Sequence, residues 1–275
     1  MPLQTIEPRR LYRQIADQLR VLIDGGEFPA GARLPAERDL ATQLGVSRPS
    51  VREALIALEV EGRVEVRMGS GIYVREAAPR AAPVEHEAES PLETIRARAL
   101  IEGELAAVAA QQMKRAQISG LREAIALMGQ ESAAGQMPTQ GDRLFHTRIA
   151  EASENSVLLR VVSGLFDERH NPLFAQLGSH FENARSWAAA IDEHKAVVDA
   201  IAHQDPAAAR DAMVRHLANS HERFMANWHA EGDAPARTAA KAPAKKVVRA
   251  DGRGQARCAA AHHQQVYRLI PVAHR

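Results

Sequence analysis

Four residues in the second half of the chain have the types and the spacing of a metal site. Asp142 and His146 are four positions apart, which places both on one face of a helix. His194 and His216 fall on the apolar faces of two further predicted helices, so their imidazoles should point inward. One carboxylate and three imidazoles suit zinc, nickel or a similar divalent ion. An inward histidine is more often held by hydrogen bonds than by a metal, so the spacing leaves both interpretations open.

A second group of polar residues, in the first third of the chain, has the types that bind DNA. Arginine clamps phosphate or reads the O6 and N7 atoms of guanine, and the N-terminus of a helix favours phosphate. A glycine at a hairpin tip lets the backbone approach a sugar-phosphate strand. The alternative is that these arginines form a solvated helix face. The group consists of Arg38, Ser47, Arg48, Ser50, Arg52 and Gly69.

The elements that must position this second group follow one another in a recognisable order. Residues 11–24 repeat apolar side chains at helical spacing, and a second helix follows Pro35 and ends at Gly45. Ser47 is a good N-cap for a third helix. After Gly62 the pattern alternates with period two around glycines, which predicts a β-hairpin. Helix, helix, helix and ribbon predict a winged helix-turn-helix, which favours DNA binding over a solvated face.

The remainder of the chain divides by composition. The predicted fold is mainly α, with an N-terminal winged helix-turn-helix and an all-α helical bundle after it. Helical spacing appears near residues 91–113, 117–133, 139–153, 156–167, 171–178, 183–203 and 206–228. The predicted parts are a DNA-binding domain over 9–75, a linker over 76–90, a helical domain over 91–229 and a disordered basic tail over 230–275.

Composition limits the class of protein. Of the 275 residues, 45% are apolar and 25% charged, as in soluble globular proteins, and the net charge of +1 predicts no nucleic-acid surface by itself. The single cysteine, Cys258, excludes both a disulfide framework within one chain and a cysteine-rich zinc site. No run of about 18 apolar residues is present, so we expect a cytoplasmic protein without a membrane partner.

The chain resembles the GntR family of bacterial transcription regulators in the stretch LPAERDLATQLGVSRPSVREALIALEVEGRVEVRMGSGIYV, from Leu34 to Val74. The resemblance implies that a homodimer binds a palindromic double-stranded DNA operator. It also implies that Arg38, Arg48 and Arg52 contact the DNA. The chain departs from the family at position 49, which is proline here, and at position 68, which is methionine. Neither side chain can make the polar contact that some relatives make there.

The helical part is similar to the FCD ligand-binding domain of the FadR subfamily. The landmarks are RALIEGELAAVAA, the D-x-x-x-H pair and the later Glu-His and His-Leu pairs. The resemblance implies that Asp142, His146, His194 and His216 hold a divalent metal (zinc, nickel or similar) with positions open for an effector.

The effector implied by the resemblance is a small carboxylate. Arg98 matches the family's Arg-x-x-x-Glu and is the leading candidate for a carboxylate clamp, with Arg148 and Asn155 as further effector-binding candidates. The alternative for Arg98 is an ion pair with Glu102 on the same helix. The wing and recognition helix most resemble members that control the use of sugar acids such as hexuronates and galactarate.

These features predict a metabolite-responsive transcription repressor and not an enzyme. A carboxylate or sugar acid bound near the metal would change operator affinity by linkage. The alternative is a metal-dependent enzyme acting on a small carboxylate, with an appended DNA-binding domain. It would need a general base near the ion, for which Glu193 is the nominal candidate, and the chain contains no H-E-x-x-H pattern. A structural nucleoid protein is a third interpretation, which depends on the basic tail.

Overall fold

A computed structural model describes residues 10–76 and 88–226. The predicted tail over 230–275 and most of the predicted linker lie outside these ranges. Within them the chain forms helices and one two-stranded sheet, with a short 3-10 turn at Glu168–His170. The elements are α1 Leu11–Asp24, α2 Glu37–Leu44, α3 Arg48–Val60, β1 Val64–Arg67, β2 Gly71–Val74, α4 Pro91–Gln112, α5 Arg115–Ala133, α6 Thr139–Glu151, α7 Ser156–Asp167, α8 Pro172–Phe181, α9 Ala184–Ala202 and α10 Pro206–Phe224.

The first five elements form the winged helix-turn-helix. Helix α1 is amphipathic and buries one face, including Leu19, against α3, which is buried along most of its length. Gly45 joins α2 to α3 with a φ of 65°, a left-handed conformation that costs glycine little. Ser47 caps α3 as predicted, because its hydroxyl accepts the Ser50 N–H. The wing is the antiparallel pair β1–β2, with Val64 opposite Val74.

The remaining helices form one bundle around α4. Helix α4 packs along α10 and also touches α6, α7 and α9. Gly103 allows the α4–α10 approach, since a Cβ there would lie 2.7 Å from Val214 Cγ2. Alanines and larger side chains such as Phe145 and Met213 fill the interior. None of the helices in residues 10–76 and 88–226 combines the length and the apolar character needed to cross a membrane.

The mainly α fold is confirmed, and the helices lie close to the predicted segments. Helix α5 begins at Arg115, two positions before the prediction, because Gln117 accepts the Lys114 N–H and closes an earlier cap. Helix α8 continues to Phe181 beyond the predicted residue 178 because its apolar face goes on packing there. Local sequence signals therefore predict the type of each element more accurately than the residue at which it begins or ends.

Candidate metal centre and nucleic-acid interface

The four predicted metal ligands come together from three helices. Asp142 and His146 extend from α6, His194 from α9 and His216 from α10, and all four side chains are buried. One ligand atom from each lies within 4.8 Å of the others. The Nε2 atom of His194 is 3.2 Å from both Asp142 Oδ1 and His146 Nε2. The grouping predicted from spacing is therefore present in space.

The second nitrogen of each imidazole has an acceptor of its own. Because each Nδ1 faces an oxygen, we assign its proton there, which leaves the Nε2 lone pair free. The acceptors are Glu102 Oε2 for His146, the Ala190 carbonyl oxygen (2.6 Å) for His194 and Glu193 Oε2 (2.9 Å) for His216. Such outer partners orient histidine ligands at metal sites.

This donor set fits a divalent ion. With both Nδ1 atoms protonated, the lone pairs of His146 Nε2 and His194 Nε2, 3.2 Å apart, repel each other, and a shared cation removes that repulsion. Two nitrogens bonded to one ion at about 2.1 Å, at angles between octahedral and tetrahedral, stand about 3.0–3.4 Å apart. The observed separation falls in that range, and Asp142 supplies an anionic oxygen at the same centre.

Protonation favours metal binding at Asp142, His194 and His216, whereas at His146 a metal must compete with a proton. Burial, aided by the neighbouring His194, lowers the pKa of His216 to about 3. Burial likewise lowers the pKa of His194. Burial opposes ionisation of Asp142, but hydrogen bonds with the histidines and the charge of Arg169 hold its pKa well below the usual value. For His146 burial is outweighed by Glu102, which raises the pKa. Two neutral imidazoles and a carboxylate are therefore ready at neutral pH.

A cleft opens beside these ligands. Its volume is about 30 Å³, which has room for only a few water molecules. A sugar acid could therefore enter only if lining side chains moved. The lining is polar and aromatic: Arg98, Asp142, Arg169, Phe181, Glu182, Ser186, Trp187, Ala190, His216, Leu217, Ser220, Arg223 and Phe224.

Two buried donors on this lining have no hydrogen-bond partner, namely Arg98 Nη2 and Trp187 Nε1. The rest of the Arg98 guanidinium is engaged, since Nε donates to Glu102 Oε1 at 2.7 Å and its centre lies 3.9 Å from the Phe166 ring centroid. The predicted ion pair with Glu102 and a free donor for a ligand thus exist together. A buried donor left unpaired costs about 1–3 kcal/mol, so both atoms favour an acceptor in the cleft.

The other two predicted effector-binding residues, Arg148 and Asn155, are not among the residues that line this cleft. Arg148 faces α5, where it donates to the Gly120 carbonyl oxygen. Asn155 caps α7 by accepting the Val157 N–H at 3.0 Å. Both side chains thus bind nearby backbone groups rather than the cleft.

Arg169, which the sequence did not single out, lines the cleft. It lies in the 3-10 turn, donates to Asp142 Oδ2 (3.4 Å) and to Glu182 Oε1 (2.7 Å), and packs beside Trp187. Glu193, considered as a base or a rival ligand, instead binds the outer nitrogen of His216 and the guanidinium of Arg223. Sequence reasoning missed Arg169 because a short turn has no periodicity to reveal which way its side chains point.

The charges around the cleft are close to balance. Three guanidinium groups face four carboxylates, so the site alone carries an excess of one negative charge. A bound divalent ion would reverse that excess to one positive charge, which attracts an anion. The charged groups are Arg98, Arg169, Arg223, Glu102, Asp142, Glu182 and Glu193.

Most of the predicted DNA-contacting residues lie on the surface of the winged helix. The Arg38 side chain is 78% exposed and that of Arg48 is 44% exposed, although Arg48 Nε also donates to Glu37 at 3.0 Å. Ser47 and Ser50 lie at the start of α3, where their hydroxyls are 2.9 Å apart. Gly69 sits at the wing tip with a φ of 77°, and a Cβ added there would meet nothing within 4 Å.

Arg52 differs from the prediction because it does not face solvent. Its side chain is 1% exposed, and its Nε donates to Glu37 Oε2 at 2.8 Å. Its Nη1 donates to the carbonyl oxygens of Phe224 and Ala226 at the end of α10. The free carbonyls of a helix C-terminus attract a cation, and α10 ends beside α3. In this structure Arg52 therefore binds the end of the helical domain, and a DNA contact would need these bonds to open.

The next residue, Glu53, binds the start of α4. Its Oε1 accepts the Leu92 N–H at 2.9 Å and the Ser90 hydroxyl. Burial raises the pKa of Glu53 to about 7, against the lowering effect of these two hydrogen bonds. Neighbouring residues of α3 thus hold two helix ends of opposite polarity, the acceptor end of α10 and the donor end of α4. We call this pair of contacts the α3 latch.

Comparison with known families agrees with this architecture. Residues 11–74 match the family described as bacterial regulatory proteins, gntR family, and residues 93–219 match the FCD domain. The first match covers α1 to β2, and the second covers the helices that carry the four clustered ligands. The predicted resemblance to GntR regulators with an FCD domain is confirmed.

Curated relatives lead to the same conclusion. The Exu regulon transcriptional regulator of Escherichia coli K12 is 39% identical over 229 residues, which span 79% of this chain and 86% of the relative. The Uxu operon transcriptional regulator of the same strain is 36% identical over 79% of this chain and 88% of the relative. The HTH-type transcriptional regulator LutR of Bacillus subtilis is 30% identical over 72% of this chain and 94% of the relative.

Among solved structures, Streptococcus agalactiae GntR aligns with 77% of this chain and 99% of its own, at 26% identity and a TM-score of 0.42. The relatives are named as regulators, and the alternative of a metal-dependent enzyme finds no support in them. The chain belongs to the GntR family of bacterial transcription regulators, with an FCD domain following its DNA-binding domain.

Proposed function

We propose that the protein is a homodimeric repressor of the FadR subfamily whose affinity for a palindromic operator changes when a carboxylate or sugar acid binds beside a divalent metal. The observation that carries this proposal concerns Phe224. Its side chain lines the cleft, and its carbonyl oxygen accepts a hydrogen bond from Arg52 of the recognition helix. One residue therefore belongs both to the effector site and to the α3 latch.

Asp142, His146, His194 and His216 would hold the metal. The ion would supply a Lewis-acidic anchor for a carboxylate oxygen, and the charge balance of the cleft supports an anionic effector only when it is loaded. The buried Arg98 would clamp the carboxylate through its unpaired Nη2. The Trp187 indole N–H would donate to a hydroxyl oxygen, which supports a hydroxylated acid over a simple one.

Coupling to DNA follows from the small free volume of the cleft. Because the cleft volume is only about 30 Å³, an effector must displace lining side chains, and Arg223 and Phe224 form the part nearest the end of α10. Such a displacement changes the carbonyl positions that Arg52 binds. By linkage, the operator affinity changes by the same factor as the effector affinity.

The first experiment tests effector binding. Metal-loaded protein is screened with sugar acids and other small carboxylates by thermal shift and then titrated by calorimetry, with and without chelator. We expect binding that needs the metal and falls at least about tenfold in Arg98→Met, because a charge-assisted hydrogen bond is lost. Arg148→Met is the matched control, since Arg148 lies away from the cleft. Equal losses in both variants, or binding unaffected by chelator, would refute the assignment.

The second experiment tests coupling through Glu53, which has no predicted DNA contact. Glu53→Ala leaves the Ser90 hydroxyl and the Leu92 N–H without their acceptor, whereas Glu53→Gln retains one. We expect the effector to change operator affinity in wild type and in Glu53→Gln. In Glu53→Ala the ratio of operator affinities with and without effector should approach one. Metal content should be the same in all three. An unchanged ratio in Glu53→Ala would show that the latch does not transmit the signal.

A further inference from the structure

An exposed apolar stripe lies where α4 packs against α10. Leu100 is 78% exposed, the highest value among the large hydrophobic side chains of the described residues. Val214 of α10 lies beside it and is 40% exposed. Together with Ile95, Ala99 and Leu217 they line a groove of about 490 Å³ between α4 and α10. Contiguous exposed apolar surface of this kind marks a binding site more often than a solvated face.

Two opposite charges flank this stripe symmetrically. Arg96 precedes Leu100 by four residues and Glu104 follows it by four, so all three lie on one face of α4 and line the groove. The side chains of Arg96 and Glu104 are 56% and 65% exposed. The charges are therefore about 6 Å above and below the apolar centre along the helix axis.

We infer that a second copy of this chain docks here, with the two α4 helices antiparallel and a two-fold axis at Leu100. In that arrangement Leu100 meets the partner's Leu100. Arg96 then faces the partner's Glu104, and Glu104 faces the partner's Arg96, as a two-fold interface requires. A surface for an unrelated protein would not need opposite charges at equal distances from its centre. This inference rests on the homodimer of the proposed function and adds its surface and orientation.

The existing partners of these charges are compatible with docking. Arg96 is 3.6 Å from Glu93, an exposed pair on one helix that contributes little. Glu104 accepts two hydrogen bonds from Arg210, at 2.6 and 2.7 Å, and Arg210 is itself 42% exposed. A carboxylate has room for a second guanidinium, so Glu104 can bind Arg210 and the partner's Arg96 together.

A charge-reversal experiment tests the surface. The oligomeric state of the full metal-loaded chain is measured by analytical ultracentrifugation for wild type, Arg96→Glu, Glu104→Arg and the double variant. Each single change places like charges opposite each other at two places in the dimer. We therefore expect the dissociation constant of the dimer to rise about tenfold or more. The double variant restores opposite charges and should recover the dimer. An equimolar mixture of the two single variants should form a heterodimer. Arg122→Glu, a reversal on the exposed surface of α5, is the control that stays dimeric.

The outcomes separate this inference from the proposed function. Single variants that dimerise as tightly as wild type, or a mixture that forms no heterodimer, would overturn the α4 surface and leave the repressor proposal intact. A monomeric wild type that still binds a single operator would overturn both this inference and the proposed homodimer. The thermal-shift response to sugar acids, measured on the same samples, reports effector binding independently and shows that each variant is folded.

Discussion

Glu53→Gln should stabilise the protein, and should do so only at neutral and alkaline pH. Glu53 is 5% exposed, and its pKa is raised from 4.5 to about 7 by burial. Between pH 4.5 and about 7, the Glu53 carboxyl therefore keeps its proton in the folded state but has lost it in the unfolded state. Stability due to the protonated carboxyl is fully present below about pH 4.5 and is lost as the pH rises to about 7.

The size of the effect follows from the same two values. A difference of about 2.5 pKa units corresponds to about 3 kcal/mol at 1.36 kcal/mol per unit. Glutamine keeps an oxygen that accepts the Leu92 N–H and the Ser90 hydroxyl, but it has no charge to bury. The variant and wild type should therefore have similar unfolding free energies near pH 5, and should differ by about 3 kcal/mol near pH 8.

Urea denaturation of both proteins in chelator, across this pH range, measures the difference directly. Chelation removes metal binding as a source of pH dependence, and titration of the histidines is common to both chains. Glu151→Gln, an exposed change at the end of α6, is the control for the loss of one surface carboxylate. A wild-type-to-variant difference that stays constant from about pH 5 to about pH 8 would refute the account of Glu53 as a buried, partly protonated carboxyl.

Three further predictions concern the two sites. Arg48→Ala should weaken specific operator binding about tenfold in a salt-matched gel-shift series, with little change in melting temperature, because its side chain is 44% exposed. His194→Ala should abolish stoichiometric metal uptake in elemental analysis, since its Nε2 lies at the centre of the ligand cluster. Gly141→Ala should cost about 1–3 kcal/mol in denaturant unfolding, because its Cβ would lie 2.6 Å from Met128 Cγ.

Local chemistry accounts for the part of the fold that sequence reasoning could predict. Ser47 before Pro49 and a run of apolar residues is enough to begin α3, and glycine at position 45 is enough to make the turn before it. The grouping of one aspartate and three histidines was also predictable, because Asp142 and His146 share a helix face and the other two histidines fall on buried faces. Periodicity indicates which way a side chain points from a regular helix, and each of these four residues lies in a regular helix.

The residues that could not be predicted depend on contacts between distant parts of the chain. Arg52 follows Arg48 by one helical turn, so periodicity alone groups the two on one surface. Its burial is decided by the carbonyl oxygens of Phe224 and Ala226, more than 170 positions away. Arg169 stands in a turn, where spacing carries no direction. The burial of a charged side chain depends on tertiary contacts, whereas sequence periodicity reports only the contacts made within one helix.

The α3 latch has a consequence for how such regulators can be recombined. Arg52 binds carbonyl oxygens of Phe224 and Ala226, and Glu53 accepts a backbone N–H from Leu92. Main-chain groups are the same whatever side chain is attached, so sequence drift at these positions leaves three of the contacts in place. A DNA-reading module carrying this Arg-Glu pair should accept another sensor bundle whose helix ends occupy the same places. Exchange of sensors between regulators would then require matched geometry rather than matched sequence.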